Sequence, residues 1–198
     1  GDVTLFSGRN VQAAELADAD ILLVRSVTKV NAALLDANPN LRFVGTATIG
    51  TDHLDLAYLQ GRGIVHTNAP GCNAQSVVEY VLSCLFILAE QQDKPLTDFT
   101  VGVIGVGQIG KRLVAALQAL GLTVLQNDPL RAAEADFPHL DLDTLLASAD
   151  VVSLHVPLVR GGAYPTFHLL DANRLAALSA TTALINACRG EVVDNQAL

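Results

Sequence analysis

Gly105, Gly107 and Gly110 stand at G-x-G-x-x-G spacing inside the run Val101-Gly102-Val103-Ile104-Gly105-Val106-Gly107-Gln108-Ile109-Gly110. Glycine at the first position permits a tight turn. At the second it lets backbone approach an anion, and at the third it lets a helix pack closely on the strand before it. Gln108 and Ile109 open that helix, so free N–H groups at its start face the same point and can bind a diphosphate. Asp128 lies 18 residues beyond Gly110 (110 to 128), just past the next apolar run. There its carboxylate can accept hydrogen bonds from ribose hydroxyls, whereas a 2′-phosphate would meet like charge. The pattern points to NAD in preference to NADP. Ordinary turn glycines and a solvated aspartate are the bland alternative; the strand before, the helix after and the acid beyond argue against it.

Arg189 is the second candidate. The run Ile185-Asn186-Ala187-Cys188-Arg189-Gly190 follows an apolar strand and precedes Glu191-Val192-Val193-Asp194. Ligands of a doubly wound sheet bind at the carboxyl ends of its strands. A guanidinium there can grip a carboxylate through two bonds and stabilise charge at a reacting carbon. By position alone, a surface arginine capping a helix or pairing with Glu191 fits equally well.

The elements that must carry these residues alternate. Residues 21–24, 41–45 and 64–67 read as short parallel strands, the first as a fully buried one. Helical stretches near 32–35 and 54–60 separate them. Residues 73–92 are the longest helix candidate, with Asn73 placed to cap it and Val77, Val81, Leu85 and Leu88 at helical spacing. It is apolar around most of its circumference and is expected between two packed layers. Asp93-Lys94-Pro95 ends it. A second series follows: strands at 100–104, 123–126, 151–156 and 182–187, helices at 108–120, 142–149 and 169–178, and a loop at 157–168. Ile109, Leu113, Leu117 and Leu120 share one face of the first of these helices, and Gly121 is its stop. No convincing strand precedes Ile21. The fold class is α/β: a Rossmann-type doubly wound parallel sheet, plus part of a second, flavodoxin-like α/β domain. The boundary falls after the long helix, giving 1–92 and 93–198.

Composition sets limits. Apolar residues make up 51% and charged residues 16%, so a sizeable core is expected. The net charge of -8, with no basic run, makes a poor nucleic-acid binder. Cys72, Cys84 and Cys188 form no C-x-x-C, and the histidines no H-x-x-x-H, so neither a disulfide framework nor a metal site is expected. The cysteine usage fits a reducing cytoplasm. No signal peptide or membrane span is visible. His53 and His155 read as hydrogen-bonded structural histidines, and Cys188 as a packing residue.

The run from Asn186 to Asp194 resembles the arginine signature of the D-isomer-specific 2-hydroxyacid dehydrogenases. The segment from Val24 to Val30 is similar to their substrate loop. The segment Gly45-Thr46-Ala47-Thr48-Ile49-Gly50-Thr51-Asp52-His53-Leu54-Asp55, with Ala69-Pro70-Gly71-Cys72-Asn73-Ala74, resembles the subgroup acting on a phosphorylated sugar acid, as does the loop at 157–171. Relatives acting on phosphoglycerate or hydroxypyruvate usually carry Val-Asp-Asn in place of Thr51-Asp52-His53. The resemblance implies NAD-dependent oxidation of a small phosphorylated hydroxy acid by a homodimer, with no nucleic-acid or membrane partner. A dehydrogenase for 3-phosphoglycerate or a non-phosphorylated acid, or an NAD-sensing corepressor-like protein, is the alternative. It makes 1–92 a partial substrate domain with 73–92 as interdomain helix, and 93–198 the NAD domain. Ser26 and Thr48 match substrate-binding positions, Arg189 the catalytic arginine and Asp128 the ribose-binding acid. Val156 stands where relatives often have threonine beside the cofactor. Arg25 and Lys29 either meet the substrate phosphate or are plain loop cations. The family's catalytic glutamate and histidine, and its dimerisation domain, are expected beyond Leu198, and its opening strand and helix before Gly1. The 198 residues are therefore expected to be truncated at both ends and catalytically silent alone.

Overall fold

The computed structural model describes residues 1–6 and 11–198. It divides into two compact units, Gly1–Cys72 and Asn73–Leu198.

In the first unit, β1 (Ile21–Val24), β2 (Phe43–Thr46) and β3 (Val65–Thr67) form a parallel sheet in chain order. α1 (Ala32–Leu35) and α2 (Leu56–Gly61) make the crossovers. Strands added one after another in a single direction, with right-handed crossovers, place every helix on one face. That explains a difference from expectation. β1 is not buried on both faces: Leu22 and Val24 join Leu34, Leu35, Val44 and Leu59 in the core, while Ile21 and Leu23 are exposed. β3 is exposed along its length. Among the described residues no strand precedes Ile21; a 3₁₀ turn, Ala13–Leu16, stands there.

The second unit opens with α3 (Ala74–Gln92), followed by β4 (Thr100–Ile104), α4 (Gln108–Ala119), β5 (Thr123–Asn127), α5 (Leu142–Ser148), β6 (Val151–Leu154), α6 (Ala172–Ala177) and β7 (Ala183–Asn186). The sheet is parallel throughout, in the order β5-β4-β6-β7. A single parallel bridge, Gln126 to His139, sits on the far side of β5, where Leu140 N–H donates to Gln126 O (2.8 Å). Counting that bridge as a reduced third strand gives the 3-2-1-4-5 order of a doubly wound dinucleotide fold. The chain passes from one side of β4 to the other between β5 and β6, so the switch point lies at the carboxyl ends of β4 and β6.

By packing, α3 goes with this unit, which begins at Asn73 and not at 93: Val78, Val81 and Leu85 share a core with Val101, Val103, Leu113 and Leu117. Within this unit one layer covers α3, and Tyr80, Phe86 and Ile87 on its other side are exposed. Asn73 occupies the cap position without a side-chain bond to the helix. α4 ends one residue early, leaving Leu120 exposed, and Gly121 takes the left-handed backbone of a helix stop (φ 82°).

Candidate functional site

The Gly-rich turn lies at the switch point. Gly105 has φ 89°, a region that side chains disfavour, and a Cβ there would stand 2.7 Å from His155 O and 2.8 Å from Val156 Cγ1. A Cβ on Gly110 would lie 2.1 Å from Gly105 O, so α4 sits this close to the turn only because residue 110 has no side chain. Gly107 differs: nothing lies within 4 Å of a Cβ there. It caps α4 without a side-chain bond, leaving the first N–H groups of a 12-residue helix for an outside acceptor. An open backbone face, a bare helix start and two glycines enforced by contact fit a diphosphate. NAD held here would rest on the N–H groups at Gly107, Gln108 and Ile109.

Asp128 follows β5 and is tied to the same turn. Its Oδ2 accepts the N–H of Val106 (2.9 Å) and its Oδ1 that of Leu130 (3.2 Å). A carboxylate has about four acceptor sites, so lone pairs remain for ribose hydroxyls. Val156, just past β6, packs its side chain against Gly105.

Arg189 stands three residues past the end of β7. β7 is two strands from β4, a separation of about 10 Å. Side chains bonded to backbone fix the turn holding it: Asn186 Nδ2 donates to Arg189 O (2.8 Å), Cys188 N–H to Asn186 Oδ1 (3.1 Å) and Arg189 Nη1 to Cys188 O (3.2 Å). Burial pushes the Cys188 thiol up, opposed by hydrogen bonds from the backbone of Arg189 and Val156. Contacts thus run from the Gly-rich turn through Val156 and Cys188 to the arginine. Glu191 pairs with Arg160.

Sequence reasoning missed the side of this corner built by Arg131, Glu134, Phe137 and His139. Arg131 Nη1 donates to Val106 O (3.2 Å), and its guanidinium lies 4.3 Å from the Phe137 ring centre. His139 Nδ1 meets Asp128 N–H (3.3 Å). The i, i+3 pairing of Arg131 with Glu134 was the available signal.

His155 is structural, as expected, but only half satisfied. Nε2 pairs with Ser153 Oγ (2.8 Å), while Nδ1 is buried with no hydrogen-bond partner. Burial lowers its pKa from 6.5 to about 4. The unfolded chain binds this proton near pH 6.5, and the folded chain only near pH 4. Between those values the unfolded state carries more protons, so stability falls as pH drops through the window, by roughly 3 kcal/mol in all. Chemical denaturation from pH 7 to 4 is expected to show that slope in the parent and a shallower one in His155→Gln. Equal slopes would remove His155 as the cause.

In the first unit the register pairs Val24 with Thr46, and Ser26 and Thr48 each follow two residues later, in neighbouring loops at the carboxyl edge. Ser26 is exposed, as are Arg25 and Lys29. Thr48 Oγ1 donates to Gly50 O (2.8 Å) and lies 2.8 Å from Thr46 Oγ1, which meets His53 Nε2 at 2.9 Å. His53 therefore shapes the loop that carries Thr48. Among the described residues no group of three His, Cys, Asp or Glu side chains could hold a metal, and no helix is long and apolar enough to cross a membrane.

A parallel doubly wound sheet with a bare-fronted Gly-rich turn and an acid after the second strand defines the class: a dinucleotide-binding α/β protein. Residues 88–198 match the family model for the D-isomer specific 2-hydroxyacid dehydrogenase, NAD binding domain, and the chain belongs to that family. An erythronate-4-phosphate dehydrogenase from Shewanella sp. (strain MR-7) is 53% identical over 199 residues, covering 100% of this chain; the chain spans 53% of that relative's length. The D-lactate dehydrogenase of Aquifex aeolicus, solved with NAD and lactic acid, superposes with TM-score 0.80 at 31% identity, over 94% of this chain and 62% of that one. An NAD⁺-bound 3-phosphoglycerate dehydrogenase from Entamoeba histolytica shares the fold, with TM-score 0.81 at 24% identity over 97% and 63% of the two chains.

Proposed function

We propose that the intact protein is a cytoplasmic, homodimeric NAD-dependent dehydrogenase that oxidises 4-phospho-D-erythronate at C2 to the 2-oxo acid, a step toward pyridoxal 5′-phosphate. The observation that carries this reading is the continuous contact from the diphosphate-ready turn through Val156 and Cys188 to Arg189. The choice of substrate draws its support from the identity, across the whole chain, to a relative of that name.

The nicotinamide, when bound, supplies the hydride acceptor for C2. Arg189 binds the substrate carboxylate through its planar fork and stabilises charge developing at the neighbouring carbon. Ser26 and Thr48 contribute hydroxyl groups that orient the acid, with Thr48 held by Gly50 and Thr46. Arg25 and Lys29, exposed beside Ser26, provide positive charge for the phosphate. Neither His53 nor His155 serves as the proton acceptor, because each is committed to a hydroxyl partner inside its own unit. Orientation is the main contribution of this part of the chain.

The test is NADH formation by the intact protein, followed at steady state with 4-phosphoerythronate, 3-phosphoglycerate and unphosphorylated erythronate. The highest kcat/KM is expected for 4-phosphoerythronate. Turnover on another acid with none on this one overturns the substrate assignment.

A further inference from the structure

The charges at the ribose corner alternate. Asp128 comes first, then Arg131, then Glu134. Arg131 Nε lies 2.9 and 3.0 Å from the two oxygens of Glu134, and Nη2 lies 2.5 Å from Oε2. Nη1 is taken by Val106 O, within the Gly-rich turn itself. The guanidinium stacks over Phe137, and the arginine side chain is three-quarters covered. Three independent contacts therefore fix it in place, beside the turn that Asp128 also organises. The hydrogen bond from Arg131, and then its charge and that of Lys111, hold the Glu134 carboxyl below its ordinary range.

An arginine at this place in a dinucleotide fold is the group that takes a 2′-phosphate, while the acid after the second strand takes a 2′-hydroxyl. This chain has both. With Asp128 present a 2′-phosphate is repelled, but repulsion is only half of the problem: a free guanidinium alongside would offset it. Glu134 removes that offset. It uses Nε and Nη2, the two donors that would otherwise form a fork toward a phosphate. We infer that Glu134 is a second determinant of dinucleotide choice, holding Arg131 away from the ribose 2′ position so that the corner accepts NAD and refuses NADP. The inference rests on the reading of the Gly-rich turn as the NAD site.

The roles can be separated by substitution. Removing Glu134 alone lets Arg131 turn to Asp128, whose charge already acts on it. The informative background is therefore Asp128→Asn, which keeps an oxygen for the Val106 N–H. Dissociation constants of the intact protein for NAD and for NADP are measured by calorimetry at fixed low salt. Asp128→Asn with Glu134→Gln is expected to raise the NADP-to-NAD affinity ratio about tenfold or more above Asp128→Asn alone, the size of one additional charge-assisted hydrogen bond. Adding Arg131→Gln is expected to abolish that increase, whereas Lys111→Gln leaves most of it. Glu134→Ala replaces Glu134→Gln should the glutamine variant melt early. A ratio unchanged by loss of Glu134, or an increase that survives loss of Arg131, overturns the inference. Wild-type protein that binds neither nucleotide sinks the underlying reading of the turn, a separate result from wild-type protein that binds NAD with a ratio that Glu134 does not control.

Discussion

Gly107→Ala is expected to leave the second unit folded and to lower NAD affinity about 100-fold, whereas Gly110→Ala is expected to destabilise the unit itself. The two glycines belong to one motif, but their surroundings separate them. The added methyl at residue 107 meets nothing of the protein within 4 Å, and its φ of -84° is negative, although its ψ of -143° lies outside the regular wells. It projects into the space that a diphosphate must enter to reach the N–H groups at the start of α4. Losing two amide contacts to a charged group is worth about 3 kcal/mol, hence the factor. The methyl at residue 110 would sit 2.1 Å from Gly105 O, a backbone atom with no rotamer to change. α4 must then move off β4, disturbing Leu113 and Leu117, which are fully buried. Overpacking against backbone costs about 3 kcal/mol, roughly a 10 °C fall in melting temperature for a unit of this size. Thermal melts and calorimetry on both variants read the two effects. Unimpaired NAD binding by a folded Gly107→Ala protein places the nucleotide elsewhere.

This separation also shows what the sequence could convey. The G-x-G-x-x-G spacing and the apolar strand before it are local patterns, and the turn formed where they indicated. The helix read over 73–92 is observed as Ala74–Gln92 for the same reason: one uninterrupted helical period ended by Asp93, which adopts a left-handed φ of 48°. Burial was less legible. β1 and α3 are apolar on both sides, and hydropathy alone cannot tell a face that is packed from one that is open, so Ile21 and Leu23 are exposed where a fully buried strand is expected. The third strand of the second sheet escaped notice because it is one bridge at His139, too short for any periodicity.

The candidate site divides in the same way. Glycines and a strand-end arginine announce themselves by type and spacing. Arg131 does not, because what makes it informative is a bond to Val106 O, 25 residues away in sequence. Ser153 and His155 carried a faint signal, two polar residues on one face of an apolar strand. Their pairing was foreseeable, but the unpartnered Nδ1 depends on the packing around it.

Arg189→Ala in the intact protein is expected to reduce kcat/KM for 4-phosphoerythronate at least about 100-fold, in line with loss of a donor that stabilises charge in the transition state. One contact of this turn, Arg189 Nη1 to Cys188 O (3.2 Å), is lost with the guanidinium, but two others remain. Asn186 Nδ2 holds Arg189 O, and Asn186 Oδ1 holds the Cys188 N–H, and neither contact involves the side chain being removed. The alanine variant should therefore fold and keep its NAD site, which calorimetry can verify on the same sample. Arg189→Lys separates charge from shape: an ammonium retains the attraction for a carboxylate but cannot supply two parallel bonds. Its kcat/KM is expected to fall between those of the parent and the alanine variant. If carboxylate binding is the whole role, KM rises with kcat unchanged; if the guanidinium also stabilises charge at C2, kcat falls too. The second outcome is expected, because Cys188, next to Arg189, takes a hydrogen bond from the backbone of Val156, whose side chain packs on Gly105. Near-normal turnover by a folded Arg189→Ala protein would remove the arginine from the chemistry and return it to the surface role that its position alone allows.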